Sequence, residues 1–312
     1  MESKNKIQPN RFLWRKIAVA LTRKQIMLSF LILFFFSSCE TITEIDLPEE
    51  KPQLVINSIF NSDSLVKVNL TQSQSVNNKS LNFKPVENAS IEIFKNNSSL
   101  GFLQYKGKGN YLSASKFPYE PDAAYTIKVI AAGFETAEAT ESIPQKPIVN
   151  SVKITPDYQY NNSAYKSYNV AFNLNDYPEK NFYFLRIWLV HSQVSRFAIY
   201  FELHNDLGQF VPVGVAGPEM LIFDDRAFNG KEVSFNLDII QAYIDNSGDY
   251  KIQIELGSTN KSYYDYQYSF KRQIEGDPIL NSSDYPVSNN IENGLGIFAP
   301  YNAASIIFDV VR

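Results

Sequence analysis

The sequence predicts a mainly β fold: an N-terminal immunoglobulin- or prealbumin-like β-sandwich, followed by a second antiparallel β domain carrying one amphipathic α-helix. Three observations lead there. Phe (23), Tyr (19) and Trp (2) together far outnumber Gly (13), and aromatic and β-branched side chains pack well on pleated surfaces. Apolar residues recur at every second position over short segments, the period of a strand with one solvated face. Clusters of Asn, Asp, Ser, Gly and Pro punctuate those segments, as turns require. At 44% hydrophobic and 20% charged, the 312 residues sit near globular averages, which excludes a disordered, collagen-like or multi-span membrane chain.

The first 38 residues stand apart from this pattern. Lys4, Lys6, Arg11, Arg15, Lys16, Arg23 and Lys24 face the single acid Glu2, and an apolar run from Ile26 to Phe36 follows. Eleven helical residues span about 16 Å, roughly half of a ~30 Å hydrocarbon core. The run is therefore too short to anchor a protein, and it has the layout of a secretory signal peptide. Immediately after it stands the chain's single cysteine, Cys39. Phe36-Ser37-Ser38-Cys39 resembles a bacterial lipobox, with Phe36 in the place of the usual Leu. The resemblance implies that Cys39 is lipidated and becomes the first residue of the mature protein. Several acyl chains, palmitate among them, would hold it firmly to the outer membrane, because one chain alone binds only marginally.

Loss of residues 1–38 removes seven bases and one acid, and takes the net charge from −4 to −10. So acidic a body has no electrostatic reason to bind nucleic acid. Residues 39–50 read as an acidic tether, with Glu40, Glu44, Asp46, Glu49 and Glu50 around Pro48. The acids after Cys39 resemble the surface-export signals of Bacteroidota lipoproteins. This favours a cell-surface position, with the periplasmic face as the alternative.

Residues 51–145 carry the alternation of the first sandwich. Val66, Val68 and Leu70 alternate with Lys67 and Asn69, Ala89, Ile91 and Ile93 with Ser90 and Glu92, and Tyr125, Ile127 and Val129 with Thr126 and Lys128. About seven strands fit between Gln53 and Ser142. Pro144 and Pro147 then interrupt the pattern, since proline cannot donate to a central ladder. The second domain, residues 146–312, continues with strands from Val149 to Leu256 and ends on a strand over Ile306–Val311. The stretch from Phe182 to Val190 is apolar on both faces apart from Arg186, as expected of an interior strand. Near residues 258–275 the period changes to that of a helix. Ser258 and Thr259 are N-cap types, Tyr263, Tyr266, Phe270 and Ile274 form the packing stripe, and Gly276 and Pro278 end it.

Residues that could carry chemistry are few. One cysteine excludes an internal disulfide and a thiol-ligated zinc site. His191 and His204 read as structural. Asp224-Asp225 could bind a hard cation or act as acid and base, but a turn with its polar tip in water explains them better. Asp245 to Asp249 has calcium-loop composition without the required Gly and Glu offsets, and reads as a tight turn. No nucleophile elbow, phosphate-cradling loop or zinc-protease helix is present. The sequence thus assigns no catalytic, cofactor-binding or metal-binding residue and points away from an enzyme. Asp63-Ser64-Leu65 resembles the O-glycosylation acceptor of exported Bacteroidota proteins, which makes Ser64 a candidate modification site.

Several stretches together resemble a Bacteroidota lipoprotein family known as domain of unknown function 4249. They are Cys39-Glu40-Thr41, Ile45 to Pro48, Leu54 to Asn57, Pro85 to Ala89, Asp225 to Lys231, Tyr263 to Tyr266, and above all Pro286 to Phe298. In the last stretch Asn293 stands where the family usually has Gly, and Asn still permits a turn with positive φ. The resemblance implies an outer-membrane lipoprotein that accompanies a TonB-dependent receptor or another outer-membrane barrel as a non-catalytic binding or docking subunit. A structural subunit of an assembly or secretion complex, and a surface hydrolase of glycans or peptides, remain the alternatives.

Overall fold

Alternation turns into burial once the strands pair. The computed structural model of the chain describes residues 51–75, 82–157, 167–192, 195–204, 210–213, 220–240, 250–275 and 285–310, which are mainly β. The first half comprises β1 (Leu54–Asn61), β2 (Leu65–Gln72), β3 (Ala89–Lys95), β4 (Ser98–Phe102), β5 (Gln104–Gly107), β6 (Asn110–Lys116), β7 (Ala124–Ala131) and β8 (Ala137–Ser142). The second comprises β9 (Ile148–Asp157), β10 (Ser167–Asn175), β11 (Phe182–Ser192), β12 (Ser195–Ala198), β13 (Phe201–Leu203), β14 (Val211–Val213), β15 (Met220–Asp224), β16 (Glu232–Ile240) and β17 (Lys251–Thr259). The helix α1 (Lys261–Glu275) and the strand β18 (Leu295–Asp309) complete it.

A ten-stranded sheet runs through the whole body in the order β14-β15-β11-β17-β18-β1-β2-β6-β5, with β12 also pairing β11. Two four-stranded sheets, β4-β3-β7-β8 and β13-β16-β10-β9, complete the strand inventory. One core gathers Ile56, Val66, Val68 and Leu70 of the large sheet with Ile91, Ile93, Tyr125, Ile127 and Val129 of the first small sheet. The other gathers Leu185, Ile187, Ile254 and Leu256 with Val170, Phe172, Phe235 and Leu237 of the second. The result is two sandwiches that share one continuous sheet. Pro144 and Pro147 lie in the link between β8 and β9, where one core gives way to the other.

The turn chemistry follows the sequence closely. Asn96 and Asn97, both with positive φ (47° and 67°), close the β3–β4 hairpin, the conformation that two-residue hairpin loops demand. The apolar strand around Arg186 is interior, as expected: β11 pairs β17 on one edge and both β15 and β12 on the other.

The last strand differs from expectation. It begins at Leu295 rather than near Ile306, because Pro300 interrupts the pattern that marks a strand. Residues Leu295–Tyr301 pair in parallel with β1, and Tyr301–Asp309 pair antiparallel with β17. Pro300 therefore sits just before the hand-over, where only β1 is its partner, and its missing N–H costs no ladder bond. Gly296 has φ of 108°, and a Cβ there would meet the Ile56 carbonyl oxygen at 2.1 Å, so β1 and β18 can approach only with glycine at that place. Asn293 adopts φ of 53° in the preceding turn, as asparagine can.

The helix also begins later than its capping residues suggested. Ser258 and Thr259 complete β17, and Asn260 is the cap: its Oδ1 accepts the Tyr263 amide at 3.2 Å. Tyr263, Tyr264 and Tyr266 pack on the outer face of the large sheet with Phe184, Ile222, Ile297 and Ala299. Ile274, expected in that stripe, is instead 43% exposed in the last turn, where the helix has outrun the sheet.

Candidate functional site

Cys39, the tether and the Asp245–Asp249 turn lie outside the described residues. Ser64 lies in the β1–β2 turn, where its hydroxyl donates to the Asn61 carbonyl at 2.9 Å and its amide closes the same turn at 3.0 Å. The two histidines are far apart in role. His191 packs its ring 4.6 Å from that of Tyr250, and His204 pairs Asp238 at 2.7 Å on the exposed face of the small sheet. Hydrogen bonding from Asn169, together with His204, holds the Asp238 carboxyl below its usual range.

Asp224 and Asp225 do not share a water-facing tip. Asp224 pairs with Arg226 at 2.8 Å, but Asp225 is only 1% exposed and accepts the Asn181 amide at 2.6 Å. The physical reason is local. The turn after β15 folds back on the loop entering β11, and a carboxylate is needed there to satisfy a backbone donor removed from water. Nearby, Asp176 accepts the Tyr183 hydroxyl and the Gly230 amide. Burial pushes the Asp176 carboxyl up, against these donors, and Asp225 adds to the rise. Burial and Asp176 likewise push the Tyr183 hydroxyl up. These carboxylates are occupied in bracing two turns.

The most developed polar cluster lies on the outer face of the large sheet, beside the edge of α1. Alternation along β11 places Phe184, Arg186, Trp188 and Val190 on this face. Register carries the rows across. Phe184 stands opposite Gly257, Arg186 opposite Glu255 and Trp188 opposite Gln253 on β17. Those three in turn face Ala303, Ser305 and Ile307 on β18. A Cβ at Gly257 would strike the Phe184 ring at 2.2 Å, so the missing side chain leaves room for Phe184 beneath Tyr263, their ring centroids 5.8 Å apart.

Arg186 meets Glu255 through two bonds, Nε to Oε2 at 2.7 Å and Nη2 to Oε1 at 3.0 Å, and also donates to the Tyr301 hydroxyl at 3.0 Å. Their side chains are 18% and 6% exposed. Burial pulls the Arg186 guanidinium down, and Glu255 more than restores it, so its pKa ends raised. Trp188 Nε1 donates to Glu255 Oε2 at 3.1 Å. Both carboxylate oxygens are thus engaged, and Glu255 is not free to act as a base. The Arg186 guanidinium also lies 4.7 Å from the Phe184 ring centroid and 5.2 Å from that of Trp188, within cation–π range. The arrangement is an interlocked aromatic and guanidinium cluster.

Sequence reading missed this cluster. Its one signal was Arg186 itself, the single charge in an apolar interior strand. Among the described residues no three His, Cys, Asp or Glu side chains converge as a metal site would require, and no helix is long and apolar enough to cross a membrane. A cleft of about 360 Å³, lined by Lys51, Gln53, Phe134, Glu135 and Asn293, opens where the described body begins.

Comparison with known proteins gives one firm result. The family described as "Domain of unknown function (DUF4249)" matches residues 40–307. No protein of curated function matches. Among solved structures, the chain is similar to a mutant of Salmonella alpha-2-macroglobulin (12% identity, TM-score 0.21, 70% of this chain and 14% of that one). It is also similar to the collagen binding domain of the Erysipelothrix rhusiopathiae surface protein RspB (10%, TM-score 0.20, 82% and 96%) and to the collagen adhesin CNA of S. aureus (8%, TM-score 0.19, 85% and 98%).

Proposed function

The chain belongs to the DUF4249 family, and from that premise we propose that it is a Bacteroidota outer-membrane lipoprotein, held by acylated Cys39, that serves a TonB-dependent transporter as a non-catalytic binding or docking subunit. The observation that carries this reading is the position of the thiol. The single cysteine follows a basic region and an eleven-residue apolar run, and it precedes by one residue the start of the family match at residue 40. The acidic segment after it supports a place on the cell surface. The braced carboxylates and the hydrogen-bonded aromatic cluster support a role in recognition over one in bond cleavage, and Ser64, on a tight turn, remains a candidate O-glycosylation site.

Mass spectrometry of the N-terminal peptide from native membranes tests the anchor. Cys39 is expected as the first residue, bearing acyl chains. An unmodified thiol behind an intact leader would overturn the proposal. Purification in mild detergent then tests the company it keeps, with an outer-membrane barrel expected in stoichiometric amount and repeated recovery of the protein alone counting against it.

A further inference from the structure

Beyond the edge of α1, none of the described elements covers the outer face of the large sheet, and its charges are not balanced. Three rows cross it: Arg186–Glu255–Ser305, Ala198–Trp188–Gln253–Ile307, and Arg196–Val190–Lys251–Asp309. Within these rows every charge has a partner but one. Arg186 and Glu255 satisfy each other, and Lys251 pairs Asp309 at 3.0 Å. Arg196 is exposed, and its guanidinium lies 4.5 Å from the Trp188 ring centroid. Among the described residues no carboxylate pairs with it. Glu255 has its oxygens committed to Arg186 and Trp188, and Asp309 is paired with Lys251. A guanidinium held over an indole face keeps its in-plane N–H donors available to an acceptor. Directly opposite Arg196 on β11, Val190 is half-buried on the same face, and Ile307, 57% exposed, lies three strands away on β18.

We propose that this face docks an acidic segment of a protein partner, with Arg196 taking one carboxylate and Val190, directly opposite it on β11, taking the adjacent apolar side chain. Elimination selects that class of occupant. An anionic membrane surface is recognised by clusters of roughly four to eight cations, each contributing about 1 kcal/mol, and one uncompensated arginine falls far short. Nucleic acid needs several phosphate contacts at once. A sugar ring would need the Trp188 face that a guanidinium already covers. What one fork-shaped cation beside an apolar side chain matches is one carboxylate beside another apolar side chain.

The inference stands independently of the transporter reading, and its test involves no membrane partner. The sequence holds two tryptophans, Trp14 and Trp188, so the full chain carrying Trp14→Phe, in detergent micelles, reports on Trp188 alone by fluorescence. The probes are acetyl-Leu-Glu-Leu-Glu-Leu-amide, its Gln counterpart, and inorganic phosphate. The Glu peptide should produce a saturable change in Trp188 emission that weakens with salt. The Gln peptide should bind roughly tenfold more weakly or worse, the scale of a lost charge-assisted hydrogen bond. Arg196→Gln should bring the Glu peptide down to the same level, with an unchanged thermal melt, and Arg196→Lys should fall between. Equal titration by both peptides, full binding in Arg196→Gln, saturation by phosphate in place of the peptide, or a response that tracks protein concentration alone would each overturn the proposal. The two-peptide comparison needs no variant at Arg196, so a folding defect could not hide the answer.

Discussion

The outer face of the large sheet is finished in two ways among the described residues, and the contrast is between a stretch under α1 and one that no described element covers. Under α1 the face is apolar: Phe184 fits against Gly257, and Tyr263 of the helix packs on it beside Ile297 and Ala299 of β18. A few residues further along the same three strands the helix is absent, and the face is built from Arg186, Glu255, Trp188, Gln253 and Lys251. Inner-face residues of β11 and β17 are buried in both stretches. The strands are therefore equally well supported from below, and only the cover differs. Where cover exists, surface is removed from water and shape decides. Where it does not, hydrogen-bonded charge pairs fill the face, and their strength depends on how far each is withdrawn from solvent.

Three measurements sharpen the contrast. The largest effect is expected at the boundary, where Arg186 is withdrawn from water but not under the helix. Glu255→Ala should destabilise the protein by about 3–5 kcal/mol, since it strands a buried guanidinium, and urea unfolding would show it. Arg186→Met combined with Glu255→Leu should recover most of that loss, because a pair replaced by apolar residues leaves no orphaned charge. Failure to recover would mean that the pair, and not its burial, holds the face. Next comes the covered half. Gly257→Ala places a methyl group into the Phe184 ring and should cost about 1–3 kcal/mol, with a larger helical signal change than at any bare-face site. A neutral result would mean that α1 floats over the sheet instead of packing on it.

The smallest effect is expected at His204–Asp238, an exposed pair that serves as a control. Asp238 has a lowered pKa in the folded state, so its contribution is present above the unfolded value near 3.9 and is lost as pH falls through the lower folded value. Sign and window follow from linkage. Asp238→Asn should be slightly less stable than the parent protein near neutral pH, and the gap should close as pH falls below about 4. A gap that widened below pH 4 would reverse the assignment. Screening also makes this gap smaller at high salt, unlike that of Glu255→Ala.

Legibility in the sequence followed the range of the interactions. Val66, Val68 and Leu70 alternate and are buried, as do Ile91 and Ile93, because a two-residue period needs no knowledge of the partner strand. Asn293 in a positive-φ turn was equally local. The Arg186–Glu255 bonds link residues 69 apart, and nothing near Glu255 marks it as different from a solvated acid in a strand. Asp225 misled for a related reason. A vicinal acid pair before Arg226 looks like a turn tip, and only the arrival of the Asn181 loop makes one of the two interior. The N-cap shifted from Ser258 to Asn260 because β17 continues pairing with β11 and β18 through Thr259, a tertiary claim on residues whose local preference is for capping.

The hand-over at Tyr301 has a consequence for how the molecule is made. Synthesis runs from β1 toward β18, yet β1 finds its parallel neighbour only in Leu295–Tyr301, and Ser62 meets Asn302 across 240 positions. Contacts so distant along the chain are slow to form, since the closure entropy must be met first. Until the final strand emerges, β1 keeps an open edge, and such edges invite association with other chains. The pairing of β1 with β18 thus completes late, and a nascent chain of this kind would gain from a chaperone that shields its early strands.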